Sequence, residues 1–363
     1  MLVFVVYLVP DTAGPADTDP DPPGRSHRLV IAFAVAAILI LVGVVNQHRG
    51  KTTVLEAAPV PHPKTHRVNP AVTTIGLAGR PVDLNSAGNL FYVLTEAPAR
   101  LMRLDAIAPH RTLRSTAIPA GAFRLLVEHE TGRLWVLQHN GSEHTYLTEY
   151  DPLSLSQLSR RLLPVGVLGA AVYNSRLWLG SQDGLYTADA DSRAGPTPVR
   201  GVGHWVISVL LDRAGDRVIA GSLNGAGSSL TAIGLENLRV LSRAEISVGN
   251  VSFARTENSL WIAGWRPDGS GMVDRLDPHT LQPISTAPSV TRLDRAVEVW
   301  PGDRVVWVVE AGTATCMSQL TGVTLSTTPG LSGPVVPGLQ AAYAIGSRAV
   351  QVLDLTGTQC SVR

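Results

Sequence analysis

The chain has 363 residues, 45% hydrophobic, 5% aromatic and 16% charged, with a formal net charge of +1, a composition that supports a large buried core and excludes a helical, charge-rich class. With no basic run and near-neutral balance it is also unlike a nucleic-acid binder that works by phosphate neutralisation. Lysine occurs only at Lys51 and Lys64, so nearly all positive charge is arginine, a bias to which no functional weight is given.

The first 28 residues read as a disordered N-terminal region. Met1 to Pro10 is apolar but too short to span a bilayer, and Asp11 to Gly24 is too rich in Pro and Asp to bury a core. Residues 29–45, Leu29 to Val45, are unbroken apolar sequence bounded by Arg25, His27 and Arg28 before and His48, Arg49 and Lys51 after. As a helix this segment reaches about 26 Å, and snorkelling arginines make up the remainder of a hydrocarbon core of about 30 Å. It is expected to be a single transmembrane helix. A cleaved signal peptide is the alternative, against which stand the long polar region before it and the absence of a small-x-small site shortly after. Flanking charge balances on the two sides, so the expected orientation, N-terminus cytoplasmic and the large domain outside, follows the usual plan of a signal anchor. Residues 46–70 carry Pro59, Pro61, Pro63 and Pro70 and read as a semi-rigid tether.

From residue 71 to 363 a strand signal recurs: Asn89-Leu90-Phe91-Tyr92-Val93, Arg133-Leu134-Trp135-Val136, Arg176-Leu177-Trp178-Leu179, Arg217-Val218-Ile219-Ala220, Ser259-Leu260-Trp261-Ile262 and Val305-Val306-Trp307-Val308. With Phe91, Trp135, Trp178, Ile219, Trp261 and Trp307 as equivalents, the steps are about 44, 43, 41, 42 and 46 residues, the spacing of four-stranded propeller blades. The fold expected is all-β, a seven-bladed β-propeller behind one N-terminal transmembrane helix. Its blades fall at roughly 79–119, 120–163, 164–201, 202–246, 247–288, 289–329 and 330–363. The last is too short for an outer strand, and a ring must close to remove its sheet edges, so Val72-Thr73-Thr74-Ile75 is predicted to pair into it.

Within the repeats a later strand ends near an aspartate and a turn, as in Met102-Arg103-Leu104-Asp105, Tyr150-Asp151-Pro152-Leu153-Ser154-Leu155 and Leu276-Asp277-Pro278-His279-Thr280-Leu281. A hydrophobic-Asp-Pro-x-Thr/Ser-Leu turn after an aromatic strand resembles the YVTN/NHL-type propellers, including the YncE-like group, over roughly Arg80 to Asp354. The fourth repeat departs from it: Ile219 replaces the aromatic residue and the aspartate is missing. The resemblance implies architecture. That superfamily spans surface proteins, ligand sensors and a few lyases.

In a propeller of this order the starts of the inner strands and the loops after the aromatic strands share one face. Arg80, Arg124, His204, Asn250 and Arg295 come from the first set, and Glu96, His139, Gln182, Asn224, Arg266 and Glu310 from the second. Their mixture suits an anionic sugar, a carboxylate or a peptide, with ordinary loop polarity as the alternative. Arg80, Arg124 and Arg295 stand at comparable starts, and convergence would focus positive potential. Trp265, in Trp265-Arg266-Pro267-Asp268-Gly269, either stacks on a sugar or covers a blade edge.

Catalytic signatures are weak. Gly180-Ser181-Gln182-Asp183-Gly184 is not a Gly-x-Ser-x-Gly elbow and lacks the strand-to-helix turn that makes such a serine reactive. His129, His139 and His144 match no zinc spacing, and Asp189-Ala190-Asp191-Ser192 has too few ligands for calcium. Cys316 and Cys360 lack Cys-x-x-Cys spacing; they are either a disulfide or inert. No metal or cofactor is expected. Two functions stand: a membrane-tethered, extracytoplasmic binding or scaffold module for a cell-envelope protein or glycan, or a lyase or hydrolase using His139, His204 or Glu310 at the channel mouth.

Overall fold

The computed structural model describes residues 70–105, 111–225, 227–266, 268–284, 290–293, 297–302, 304–310, 312–338, 341–356, 358 and 360. Leu29 to Val45, the segments on either side of it, and Arg295 lie outside the described residues. Among the described residues no helix is long and apolar enough to cross a membrane.

Seven four-stranded antiparallel sheets form the ring. From the channel outward, blade 1 contains Arg80–Ala87, Leu90–Glu96, Arg100–Asp105 and Thr112–Ala117, and blade 2 contains Ala122–Val127, Leu134–His139, Thr145–Tyr150 and Gln157–Leu163. Blade 3 follows with Val167–Tyr173, Arg176–Ser181, Gly184–Asp189 and Thr197–Pro198, then blade 4 with Val206–Asp212, Arg217–Asn224, Gly227–Gly234 and Val240–Ile246. Blade 5 has Gly249–Thr256, Ser259–Trp265, Gly271–Leu276 and Val290–Leu293, and blade 6 has Val297–Pro301, Val305–Glu310, Thr313–Ser318 and Thr324–Pro329. Blade 7 takes three strands from the C-terminal end, Val335–Pro337, Ala341–Ile345 and Ala349–Asp354, and its outer strand, Ala71–Gly76, from the N-terminal side.

The predicted pairing forms: Val72, Thr73, Thr74 and Ile75 lie opposite Leu353, Val352, Gln351 and Val350. The ring thereby pairs an edge that the C-terminal strands alone would leave open. A second clasp is the disulfide between Cys316 of blade 6 and Cys360 beyond the last strand, with Cα atoms 6.4 Å apart and a sequence separation of 44. Closing a loop of that length stabilises by about 4 kcal/mol in the chain-entropy account.

The core lies between neighbouring blades. Trp135, Trp178, Trp261 and Trp307 are fully buried, and each ring faces the next blade, as Trp135 does against Val165, Val167, Leu177 and Leu179. Such a ring is worth about 3–5 kcal/mol against alanine. In blade 1 the equivalent is Tyr92, not Phe91. Tyr92 pairs with Asn85 as Trp135 pairs with Leu126, and it packs on Leu125, Val127 and Leu134 of blade 2. Phe91 points the other way and stacks on Tyr343 of blade 7 at 3.8 Å. Side chains alternate along a strand, so a shift of one residue exchanges the two faces. In blade 4 Ile219 fills the aromatic position against Val248, Val251, Leu260 and Ile262.

The Asp turn has a direct physical basis. Asp151 Oδ1 accepts hydrogen bonds from the Leu153 and Ser154 amides (3.1 and 2.6 Å) and from Ser154 Oγ (2.7 Å), while Leu155, at φ 56°, is buried and returns its amide to Asp151 O. Asp277 repeats this with His279, Thr280 and Leu281. These bonds hold both carboxyls below the usual range, the Ser154 and Thr280 amides contributing most. Blade 4 keeps the turn without the aspartate: the Leu238 amide donates to Gly234 O with Leu238 at φ 55°, and Asn237 accepts from the Arg239 amide. The backbone defines the turn and the carboxylate reinforces it.

One blade boundary differs from the sequence reading. Val290–Leu293 is the outer strand of blade 5, so blade 6 begins at Val297 rather than near 289. Ahead of that strand Pro283 forms a lone bridge with Leu276 and the Ile284 amide donates to Arg275 O at 2.9 Å, while Val290 lies opposite Val273.

Candidate functional site

The strand registers bring inner-strand starts beside middle-strand ends on one face: Arg80 opposite Glu96, Ala122 opposite Gln138, Val206 opposite Ser222, Gly249 opposite Trp265 and Val297 opposite Glu310. Below this mouth the inner strands line a channel of about 990 Å³. Five of them carry a bulge just inside it, between Pro81 and Asp83, Ala122 and Arg124, Val167 and Gly169, Val206 and Ser208, and Gly249 and Ser252. An extra residue in a strand re-aims the side chain that follows. Asp83, Arg124, Gly169, Ser208 and Ser252 thus occupy one level of the channel wall, and Glu298 stands at that level in blade 6.

Most of this ring is engaged in joining blades. Asp83 Oδ2 accepts the Leu125 amide of blade 2 at 2.7 Å, and its Oδ1 accepts the Leu84 amide at 3.0 Å. Ser208 Oγ donates to Val251 O of blade 5, and Ser252 Oγ accepts the Val299 amide of blade 6 at 3.2 Å. At Gly169 an added Cβ would lie 2.6 Å from Ile207 O, so blades 3 and 4 approach here only because the side chain is absent.

Arg124 and Glu298 differ from these. Arg124 Nη1 is 3.9 Å from Asp83 Oδ1, and its buried Nε has no hydrogen-bond partner among the described residues. Glu298 is reached by solvent from within the channel although protein encloses it, and it accepts Trp300 Nε1 at 3.3 Å. Burial pushes its carboxyl above the usual range; the Trp300 bond and Arg124 oppose this, and Asp83 adds to it. Burial also raises Asp83, against Arg124 and the two backbone amides. One cation and two carboxyls therefore share an electrostatic neighbourhood.

The other candidates are distributed around the mouth. Arg80 is ion-paired with Glu96, both exposed. His139 stacks flat on Phe123 (3.9 Å, 7° between planes), and partial burial lowers its affinity for protons. His204 is exposed between blades 3 and 4, Asn250 is exposed at φ 49° on the channel wall, and Asn224 donates to Glu245 at 3.1 Å. Arg266 donates to Met272 Sδ at 3.1 Å, and Glu310 ends the second strand of blade 6. Ser181 Oγ donates to Gly184 O inside its turn, and Asp191 is engaged by Arg133 at 2.5 and 3.0 Å. Asp83 and Glu298 escaped the sequence reading. Their one signal is a carboxylate between apolar residues near the start of an inner strand, Val82-Asp83-Leu84 and Val297-Glu298-Val299.

A contrasting charge cluster lies at the opposite end of the ring. Asp212, the last inner-strand residue of blade 4, is fully buried; its Oδ2 accepts Arg217 Nε and its Oδ1 accepts Arg255 Nε of blade 5, each at 2.9 Å.

Ring, closure and channel place the chain among seven-bladed β-propellers. Among solved structures, hydrazine synthase of Kuenenia stuttgartiensis is similar, with a TM-score of 0.59 and 12% identity over 82% of this chain and 99% of that one. At that identity the likeness is one of fold. No protein family and no curated protein matches the chain.

Proposed function

We propose that this propeller is a membrane-tethered, extracytoplasmic binding or scaffold module whose channel mouth receives a cell-envelope protein or glycan. The observation that carries the reading is the state of Arg124 and Glu298: they face the open channel, while their ring neighbours Asp83, Ser208 and Ser252 are bonded across blades. Polar groups whose bonding capacity is only partly filled among the described residues, on a concave wall, are the usual makings of a ligand site. The apolar run Leu29 to Val45 and the Pro-rich stretch after it support the tether. The Cys316–Cys360 bond favours an oxidising compartment.

Lys51 and Lys64 are the only lysines and both follow the apolar run. An impermeant amine reagent applied to intact cells, combined with crosslinking and recovery of the full chain, tests side and binding together. Labelling at both lysines, and an envelope component whose recovery falls about tenfold in the Arg124→Ala/Glu298→Gln variant, is the expected result. Label found only in broken cells overturns the orientation, and equal recovery overturns the site.

A second reading, an enzyme acting at the mouth, is favoured by one observation. Burial raises two carboxyls beside Arg124, the condition a general acid needs near neutrality. The similar solved structure is named for an enzyme. His139, His204 and Glu310 stand on separate parts of the ring, at blade 2, between blades 3 and 4, and at blade 6.

A further inference from the structure

Seven tryptophans occur in the chain, and their places divide cleanly. Trp135, Trp178, Trp261 and Trp307 are core. The other three, Trp205, Trp265 and Trp300, stand on consecutive blades 4, 5 and 6, at the mouth or on the channel wall. Trp205 is 48% exposed and Trp265 is 41% exposed.

Trp205 has a backbone that a bulky residue rarely adopts, φ 55°. Its carbonyl accepts the Leu223 amide just as Gly121, at φ 86°, accepts the His139 amide in blade 2. The fold makes this bend with glycine elsewhere, so the indole is not what the bend requires. The Trp205 amide also donates to Gln182 O at 2.8 Å, which fixes the residue between blades 3 and 4. Strain held by surrounding bonds, on a side chain the core does not use, is the pattern of a functional position. Trp265 keeps its six-membered ring beside Gly249, where an added Cβ would meet it at 3.8 Å, and the residue stays substantially exposed.

Around these rings the exposed groups include the uncharged hydrogen-bonding Gln182, His204 and Asn250, together with the acidic Asp183 and Asp268, which disfavour an anionic ligand. We infer that Trp205 and Trp265 form a stacking platform for an uncharged saccharide, an assignment that rests on the binding-module reading and selects glycan over protein. A pyranose ring has an apolar C–H face and a hydroxyl edge. Indole faces suit the first, and neutral amides and imidazole suit the second without the desolvation penalty that a charged group carries. The charged trio of Asp83, Arg124 and Glu298 would meet whatever part of the ligand enters the channel.

The test uses the full chain in detergent micelles, titrated with short neutral oligosaccharides of β-linked glucose or N-acetylglucosamine and, separately, with a proline-rich peptide, by calorimetry and tryptophan fluorescence. Saccharide binding with a fluorescence change is expected, weakened about tenfold by Trp265→Ala and by Trp205→Gly. Because glycine adopts a positive φ without strain, Trp205→Gly should leave the melting temperature unchanged, which separates a ligand contact from a structural role. Saccharide binding insensitive to both variants, binding of the peptide instead, or loss of folding in Trp205→Gly overturns the platform. If no sugar binds but envelope capture remains sensitive to Arg124 and Glu298, the platform falls and the binding module stands. If capture is insensitive as well, both fall.

Discussion

At the end of the ring away from the mouth, Asp212 receives Arg217 on one carboxylate oxygen and Arg255 on the other at 2.9 Å, with no exposure to water. At the mouth, Asp83 has Arg124 no nearer than 3.9 Å, and Glu298 has one indole N–H and the open channel. Both clusters combine carboxylates with arginine, and their states are opposite. In the first cluster the protein supplies hydrogen-bonding partners to both carboxylate oxygens and joins blade 4 to blade 5. In the second the described residues leave bonding capacity unfilled where a ligand has access. A charged cluster is a joint or a site according to who satisfies it, and buried groups are costly when nobody does.

The sharpest break of this contrast is Asp212→Ala. It leaves two arginines facing a void in which neither has its counter-charge, and breaking a buried pair in that way costs about 3–5 kcal/mol. Urea unfolding should show a much lower midpoint at an unchanged slope. A midpoint within error of the parent would mean that the arginines find other partners and the cluster is no joint.

Asp83 lies between the extremes, because it joins blades through Leu125 yet belongs to the mouth. Asp83→Ala leaves the Leu125 amide unsatisfied and should cost about 1–3 kcal/mol, whereas Asp83→Asn retains an oxygen acceptor and should cost less. The pH dependence sharpens this. Burial raises Asp83 above its ordinary value of 3.8, so in the window between that value and the raised one the folded state binds the proton more tightly than the unfolded state. Stability from this group therefore falls as pH rises through the window and is recovered as pH falls. Urea midpoints measured across mildly acidic pH should show the parent gaining on Asp83→Asn as pH drops. The opposite slope would mean that Arg124 and the two backbone amides, not burial, govern this carboxyl.

The parts of the ring built by repetition were legible in the sequence. Trp135, Trp178, Trp261 and Trp307 recur because each blade needs one large ring against the next. Asp151 and Asp277 recur because a carboxylate caps the same turn, and residues 72–75 close the ring because a short last blade leaves an edge unpaired. What stayed hidden depends on register. Phe91 and Tyr92 are adjacent aromatics on opposite faces, and composition cannot say which one faces blade 2. The bulges that set Asp83, Arg124 and Ser252 at one level add a residue without a sequence mark, so a channel ring looks like unrelated loop starts. Arg80 and Arg124 read as equivalent cations, yet one is paired at the rim with Glu96 and the other faces two carboxyls inside.

The smallest expected effect on stability tests the mouth most directly. Glu298→Gln keeps the acceptor for Trp300 Nε1 and removes a charge whose burial is unfavourable. Arg124→Ala removes a guanidinium that lies 3.9 Å from Asp83 and whose Nε has no hydrogen-bond partner among the described residues. Each should therefore change unfolding free energy by no more than about 0.5 kcal/mol, the range of substitutions that no structural bond depends on. Glu298→Gln should gain on the parent as pH rises above the ordinary carboxylate range, because the parent must then ionise an enclosed group and the variant need not. Should Glu298→Gln instead lose more than about 1 kcal/mol at neutral pH, its carboxylate would be making bonds that hold the ring. The mouth would then be a second joint, and the difference between the two ends of the channel would disappear.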